Sequence, residues 1–364
     1  MKSFSHAILS SLALVATASP VPGTLSYSIS DRAVTVTDAE VKAFDFYAQY
    51  AAAGYCNTEV PVGSTITCAN NACPDVAAAG ATVVATFSGE ITDIQGFVSV
   101  DDTNQLIVAS FKGSSSIRNW ITDFVFLQVP CDLVAGCLLH AGFSTAWLEV
   151  ADVVTAAVAA AKASNPAYRI VFTGHSLGGA VSTVAAGFVR ESGSYSDLDL
   201  YTYGSPRAGN RAFVARVSEQ AGGEYRVTHT DDPVPRLPPA LLNYRHTSPE
   251  YWFHTGGSNT TDYTAADAKV CEGYANLACN GGTLGLDTDA HGYYFEDVSA
   301  CGSGGIAFKR AAAVVADEGA VASNVTFDMA TTPPEDVTDD ELLSRLNDFV
   351  DQDIEYVASL DAEG

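Results

Sequence analysis

The sequence predicts an α/β protein with a mostly parallel central sheet covered by helices on both faces. Three observations lead there. Short apolar runs alternate with helix-period segments through residues 141–230, residues 168–173 form a continuous apolar run of the kind buried on both faces, and a Gly-x-Ser-x-Gly turn joins that run to the next helical segment.

The chain opens with one lysine, an apolar run from Ala7 to Val15 and the small-residue pattern Ala16-Thr17-Ala18, which reads as a secretory signal over residues 1–18. Residues 19–36 then form a short N-terminal segment in the position of a propeptide. No later stretch holds about 18 consecutive apolar residues, so no transmembrane segment is expected. From Thr37 to Ala53 apolar residues recur at helical spacing, with Asp38 and Glu40 at the positive end of the helix dipole. Three β-rich runs follow, at 81–87, 95–100 and 105–111, each ended by Gly, Asp or Asn. A long Ala- and Val-rich helix at 141–163 stops at Asn165-Pro166. Strand and helix then alternate: strand 168–173, helix 177–189, strand 198–203, helix 210–220 and strand 225–230.

Hydrophobic residues make up 47% of the chain and charged residues 17%, the balance of a globular protein. Against 43 Asp and Glu stand 18 Lys and Arg, for a net charge of −25. That excludes nucleic acid as a partner, because such binding needs basic groups that displace counterions from phosphate. After Cys301 the composition changes. Residues 302–364 are acidic, lack cysteine and contain one amphipathic candidate helix, Asp339 to Leu360. The core is expected to end at residue 301, and the dibasic pair Lys309-Arg310 marks where an exported chain would lose this extension.

Export also places the eight cysteines where disulfides persist. Cys68/Cys73, Cys131/Cys137 and Cys271/Cys279 are each close enough to close a small loop, which leaves Cys56 and Cys301 to join the two ends of the core. No Cys-x-x-Cys pair suggests a zinc or other metal site. Asn259-Thr260-Thr261 and Asn324-Val325-Thr326 are candidate glycosylation sites in an exported glycoprotein.

The chemistry centres on Gly174-His175-Ser176-Leu177-Gly178. A serine on a sharp strand-to-helix turn projects its hydroxyl into a pocket, and the Leu177 N–H at the helix start can bond an oxyanion. A hydroxyl becomes a competent nucleophile only when a histidine takes its proton and a carboxylate orients that histidine. In this arrangement the order is Ser, then Asp or Glu, then His. Asp231 and Asp232 both follow the strand at 225–230, ahead of a stiff Pro-rich loop. Of the later histidines His291 fits the base, and spacing alone leaves His246 as its rival.

Seven ordered motifs carry a resemblance: FDFYAQYAAAGYC (44–56), SFKGSSSIRNW (110–120), HAGF (140–143), VFTGHSLGGA (171–180), YGSPRAGNRAF (203–213), THTDDPVPRLPP (228–239) and SPEYW (248–252). Over residues 37–301 the chain resembles the fungal class 3 lipases, which include triacylglycerol lipases, mono- and diacylglycerol lipases and feruloyl esterases. The resemblance implies an α/β-hydrolase fold, with nucleophile Ser176, acid Asp232, base His291 and oxyanion donors Ser114 and Leu177. It also implies the bridges Cys56–Cys301, Cys68–Cys73 and Cys131–Cys137, and a lid at Ser115 to Phe126. There Ile117, Trp120, Ile121 and Phe124 share one face of a short helix. Cys271 and Cys279, Lys112 in place of a common Arg, and the acidic extension depart from the family pattern.

The reading is a secreted, extracellular serine hydrolase that cleaves acylglycerol esters at the lipid–water interface and needs no cofactor. A feruloyl or other soluble-ester esterase is the alternative, which a polar lid would favour. A non-catalytic lipid- or wall-binding protein with the same fold is a third reading, against which the complete Ser, Asp and His positions speak.

Overall fold

The computed structural model describes residues 35–114, 126–301 and 339–362. The signal segment, the lid residues Ile117, Trp120, Ile121 and Phe124, the Lys309-Arg310 pair and the second sequon lie outside the described residues. Asn259 of the first sequon is exposed.

Helix α1 (Asp38–Cys56) begins at a capping box: Thr37 Oγ1 accepts from the Glu40 N–H, and the Glu40 carboxylate accepts from the Thr37 N–H. A short α2 (Pro74–Ala79) precedes three strands, β1 (Thr82–Ser88), β2 (Gln95–Asp101) and β3 (Leu106–Phe111). A small ribbon, β4 (Gln128–Pro130) and β5 (Leu138–His140), leads into α3 (Ala141–Ser164). Then come β6 (Arg169–His175), α4 (Leu177–Glu191), β7 (Asp199–Tyr203), α5 (Arg211–Glu219) and β8 (Glu224–His229). Two further strands, β9 (Glu250–Phe253) and β10 (Ala268–Cys271), extend the sheet. At four residues each, separated by irregular chain, they carry no periodic run for the sequence to reveal.

The eight strands lie in the order β1-β2-β3-β6-β7-β8-β9-β10. From β3 to β9 neighbours are parallel, and antiparallel pairing is confined to the β1-β2-β3 edge and to β10. Period-2 alternation serves two cores. In β6, Ile170 and Phe172 join the core under α3, α4 and α5, whereas Val171 joins the one under α1. Phe44 of α1, fully buried, packs against Tyr201, Tyr225, Tyr251 and Phe253, and its truncation to alanine would cost about 3–5 kcal/mol.

By length and composition α3 could cross a bilayer, although it has no uninterrupted apolar run of that length. Its apolar stripe, Phe143, Trp147, Val150, Val154 and Val158, is spent on the sheet and α4. The four disulfides are Cys56–Cys301, Cys68–Cys73, Cys131–Cys137 and Cys271–Cys279.

The packed core does not stop at Cys301. Helix α6 (Asp339–Ala362) buries Leu346, Phe349, Val350 and Val357. Phe349 meets Phe126 edge-on, and Asp353 pairs with Arg207 at 2.7 Å and accepts the Leu241 N–H at 3.0 Å. Acidic composition averaged over residues 302–364 hides this apolar stripe.

Candidate active site

The carboxyl ends of the parallel strands bring the candidate residues together, as open α/β sheets generally do. Ser176 sits between β6 and α4 with φ 57° and ψ −131°, a conformation costing about 1–3 kcal/mol in a non-glycine residue. It is held there by its N–H on the Tyr203 carbonyl (2.9 Å) and its own carbonyl on the Gly179 N–H (2.9 Å). The flanking glycines answer contact rather than torsion. A Cβ on Gly174 would lie 2.5 Å from the Gly178 carbonyl, and one on Gly178 would lie 2.1 Å from the Phe111 carbonyl. The strand end, the elbow and the end of β3 therefore touch main chain to main chain.

That contact sets Ser114, three residues beyond β3 and half-buried, near the start of α4. Leu177 opens α4, so its N–H has no intrahelical acceptor. Lys112 Nζ donates to Gln95 Oε1 at 2.7 Å.

Asp232 and His291 come from loops 59 residues apart and meet with Nδ1–Oδ2 at 2.7 Å, both side chains fully buried. Asp232 Oδ1 accepts the Val234 N–H at 2.9 Å, and Oδ2 also accepts from the Tyr294 hydroxyl. Burial and the Asp232 charge push the Tyr294 phenol well above its ordinary pKa, so it stays a donor. His291 Nε2 is buried without a hydrogen-bond partner among the described residues. Gly204 leaves the room: a Cβ there would lie about 3 Å from the His291 ring, the Tyr294 hydroxyl and Asp232 Oδ2.

The Asp231 carbonyl accepts from Arg236 at 3.0 Å, and its carboxylate lies against Gly285. His246 Nε2 is committed to the Pro235 carbonyl at 2.6 Å, and burial holds its pKa well below the ordinary value. His140 caps α3, and His254 is exposed beside Trp252. The structure thus joins Asp232 to His291 and leaves Asp231 and His246 with other partners.

Sequence reasoning missed several supports. Tyr294 stands in the aromatic segment after His291, but nothing in its spacing marked it as a partner of Asp232. Arg236, buried and with its pKa lowered to about 10, ties the carbonyls of Thr283 and Gly285 to that of Asp231. Asn280 Nδ2 donates to the carbonyls of Thr230 and Asp232, at 3.1 and 3.0 Å. The Cys271–Cys279 bridge secures the segment that carries Asn280.

An elbow of this kind, between a parallel strand and a helix with an aspartate–histidine pair from later loops, defines an α/β-hydrolase. Two family models match the chain, "Lipase (class 3)" over residues 108–242 and "Lipase 3 N-terminal region" over residues 8–84. The chain belongs to the class 3 lipase family of carboxylic ester hydrolases. It is 47% identical over 358 residues to secreted mono- and diacylglycerol lipase 1 of Fusarium solani, covering 97% of this chain and 99% of that protein. The alignment is long enough to include most of the acidic extension. Among solved structures it is similar to the mono- and diacylglycerol lipase of Aspergillus oryzae (41% identity, TM-score 0.68, 72% of this chain and 98% of that one). It is also similar to the triacylglyceride lipase of Rhizomucor miehei (30% identity, TM-score 0.65, 73% and 98%).

Proposed function

We propose that this protein is an extracellular lipase that hydrolyses the ester bonds of mono- and diacylglycerols through an acyl-enzyme on Ser176. The observation that carries the reading is the orientation of His291: its Nδ1 is held by Asp232, which leaves Nε2 as the nitrogen able to take a proton. His291 Nε2 removes the Ser176 hydroxyl proton as Oγ attacks the ester carbonyl. The oxyanion is bonded by the Leu177 N–H and by Ser114, at the positive end of α4. His291 then protonates the departing glycerol oxygen. In the second half it takes a proton from water, whose oxygen attacks the acyl carbon and releases the fatty acid. Asp232 stays ionised throughout and stabilises the imidazolium.

The names of the Fusarium solani and Aspergillus oryzae relatives support the choice of mono- and diacylglycerols and, for the former, secretion. Lid gating by the apolar face of Ile117, Trp120, Ile121 and Phe124 belongs to the same proposal, as do removal of residues 1–18 and cleavage after Arg310. Intact mass of the exported protein tests both cuts.

The deciding assay compares wild type and Ser176→Ala on monoolein, diolein, triolein and methyl ferulate, below and above the concentration at which droplets form. Hydrolysis of mono- and diolein that rises at droplet formation and disappears in Ser176→Ala is expected. Equal rates from the two proteins would overturn the serine mechanism, and preference for methyl ferulate would make it a soluble-ester esterase.

A further inference from the structure

We infer that two tyrosine–histidine pairs, Tyr55–His175 and Tyr263–His229, are positioning residues that hold the main chain at His291 and so aim its ring. The inference rests on His291 being the base proposed above.

Residues 290–292 form a single 3₁₀ turn, too short to fix its own geometry. Its two consecutive carbonyls are gripped from different elements. The Ala290 carbonyl lies 3.0 Å from His229 Nδ1, and the His291 carbonyl lies 2.8 Å from His175 Nε2. A carbonyl only accepts, so each of these nitrogens carries the hydrogen. Burial pushes both imidazoles below their ordinary pKa, His175 well below it, first by burial and then by the His291 ring tilted against it at 4.5 Å. Each ring is therefore neutral, with a bare acceptor on its far side.

Both far sides meet a tyrosine hydroxyl. Tyr55 Oη lies 2.8 Å from His175 Nδ1, and Tyr263 Oη lies 2.7 Å from His229 Nε2. The two carbonyls thus fix the histidines in opposite tautomers, Nε2–H for His175 and Nδ1–H for His229, and each tyrosine hydroxyl supplies the donor that the bare nitrogen needs. Were either ring to hold the other tautomer, a lone pair would face a carbonyl lone pair and the grip would become a repulsion. The Tyr55 hydroxyl also lies against Gly113, next to Ser114, where an added Cβ would come within 2.0 Å of it, so the same tyrosine touches the segment of the proposed oxyanion donor. Tyr263 offers its single proton to the Thr260 carbonyl as well, at 2.9 Å, which ties the second pair to the loop at 260.

Two adjacent carbonyl directions fix the peptide plane, and with it the direction in which the His291 Cβ leaves the chain. A displacement near 1 Å in such a group costs on the order of 100-fold in rate. Neither His229 nor Tyr263 has a place in the bond-making steps, so they isolate the effect.

The experiment measures kcat and KM on a soluble short-chain p-nitrophenyl ester below droplet formation, together with thermal unfolding, for Ser176→Ala, Tyr263→Phe, His229→Leu and His229→Asn. An asparagine amide can take the place of Nδ1–H, and leucine cannot. Tyr263→Phe and His229→Leu are expected to lower kcat by about tenfold or more with KM unchanged, and His229→Asn to recover most of the loss. Wild-type kcat in folded Tyr263→Phe and His229→Leu would overturn the inference. So would a loss in His229→Asn equal to that in His229→Leu, since that is what a purely structural role gives. Full activity in Ser176→Ala would instead overturn the proposed function, which separates the two failures.

Discussion

Asp232 Oδ2 and His291 Nδ1 lie 2.7 Å apart with no solvent access to either side chain. A carboxylate so enclosed survives only with its lone pairs occupied. Here the occupants are His291, the Val234 N–H and the Tyr294 hydroxyl. The aspartate is rigid in consequence, and the imidazole it holds keeps one tautomer.

Asp232→Asn keeps the shape but removes the charge and allows the wrong tautomer. Its kcat on diolein is expected to fall on the order of 10³-fold or more, with little change in thermal stability. Asp231→Asn should stay within about twofold of wild type. Steady-state kinetics on the two variants side by side checks both expectations, and an equal loss in the two would contradict the assignment.

Tyr294→Phe leaves the ring packing and deletes one donor to Oδ2. About 1–3 kcal/mol of stability should go, since the buried oxygen loses a partner. Activity should fall by less than in Asp232→Asn, because His291 retains its bond. Chemical denaturation measures the first, and kcat the second.

Glu296 is partly buried near Asp45, Asp75 and Asp297, and its pKa is raised to about 7, first by burial and then by those charges. A carboxyl raised in the folded state binds its proton more tightly there than in the unfolded chain. Its contribution to stability is full below about pH 4.5 and is lost as pH rises toward 7. Glu296→Gln should therefore raise Tm at pH 8 relative to wild type, and flatten the fall in Tm between pH 5 and pH 8. Thermal unfolding at the two pH values, with the variant as reference, reads the effect.

Arg207 donates to the carbonyls of Arg236 and Pro238 and to Asp353, all within about 3 Å. Asp353→Ala leaves that guanidinium buried without its counter-charge, at a cost of about 3–5 kcal/mol. Faster amide exchange is expected in α6 and at residues 240–242. A chain cleaved after Arg310 should keep its α6 fragment bound through gel filtration, whereas the Asp353→Ala fragment should separate.

The sheet, its covering helices and the elbow were legible in the sequence because each rests on local information: an apolar period, a turn residue, a helix stop. The two short strands at the far edge were not, since four residues carry no period. The choice of Asp232 over Asp231 and of His291 over His246 needed family resemblance, because spacing along a chain does not say which side chains face each other. Tyr294, Arg236, Asn280 and the two tyrosine–histidine pairs left no mark, since most of their hydrogen bonds join residues 34 to 120 positions apart and depend on where the backbone carries them. The sequence by itself determined a globular, acidic α/β chain with a serine on a strand-to-helix turn. Only the tertiary structure decided which polar groups surround that turn and that α6 packs on the domain. Burial turns a tyrosine, an arginine or an acidic helix into a specific partner, and burial belongs to the folded chain as a whole.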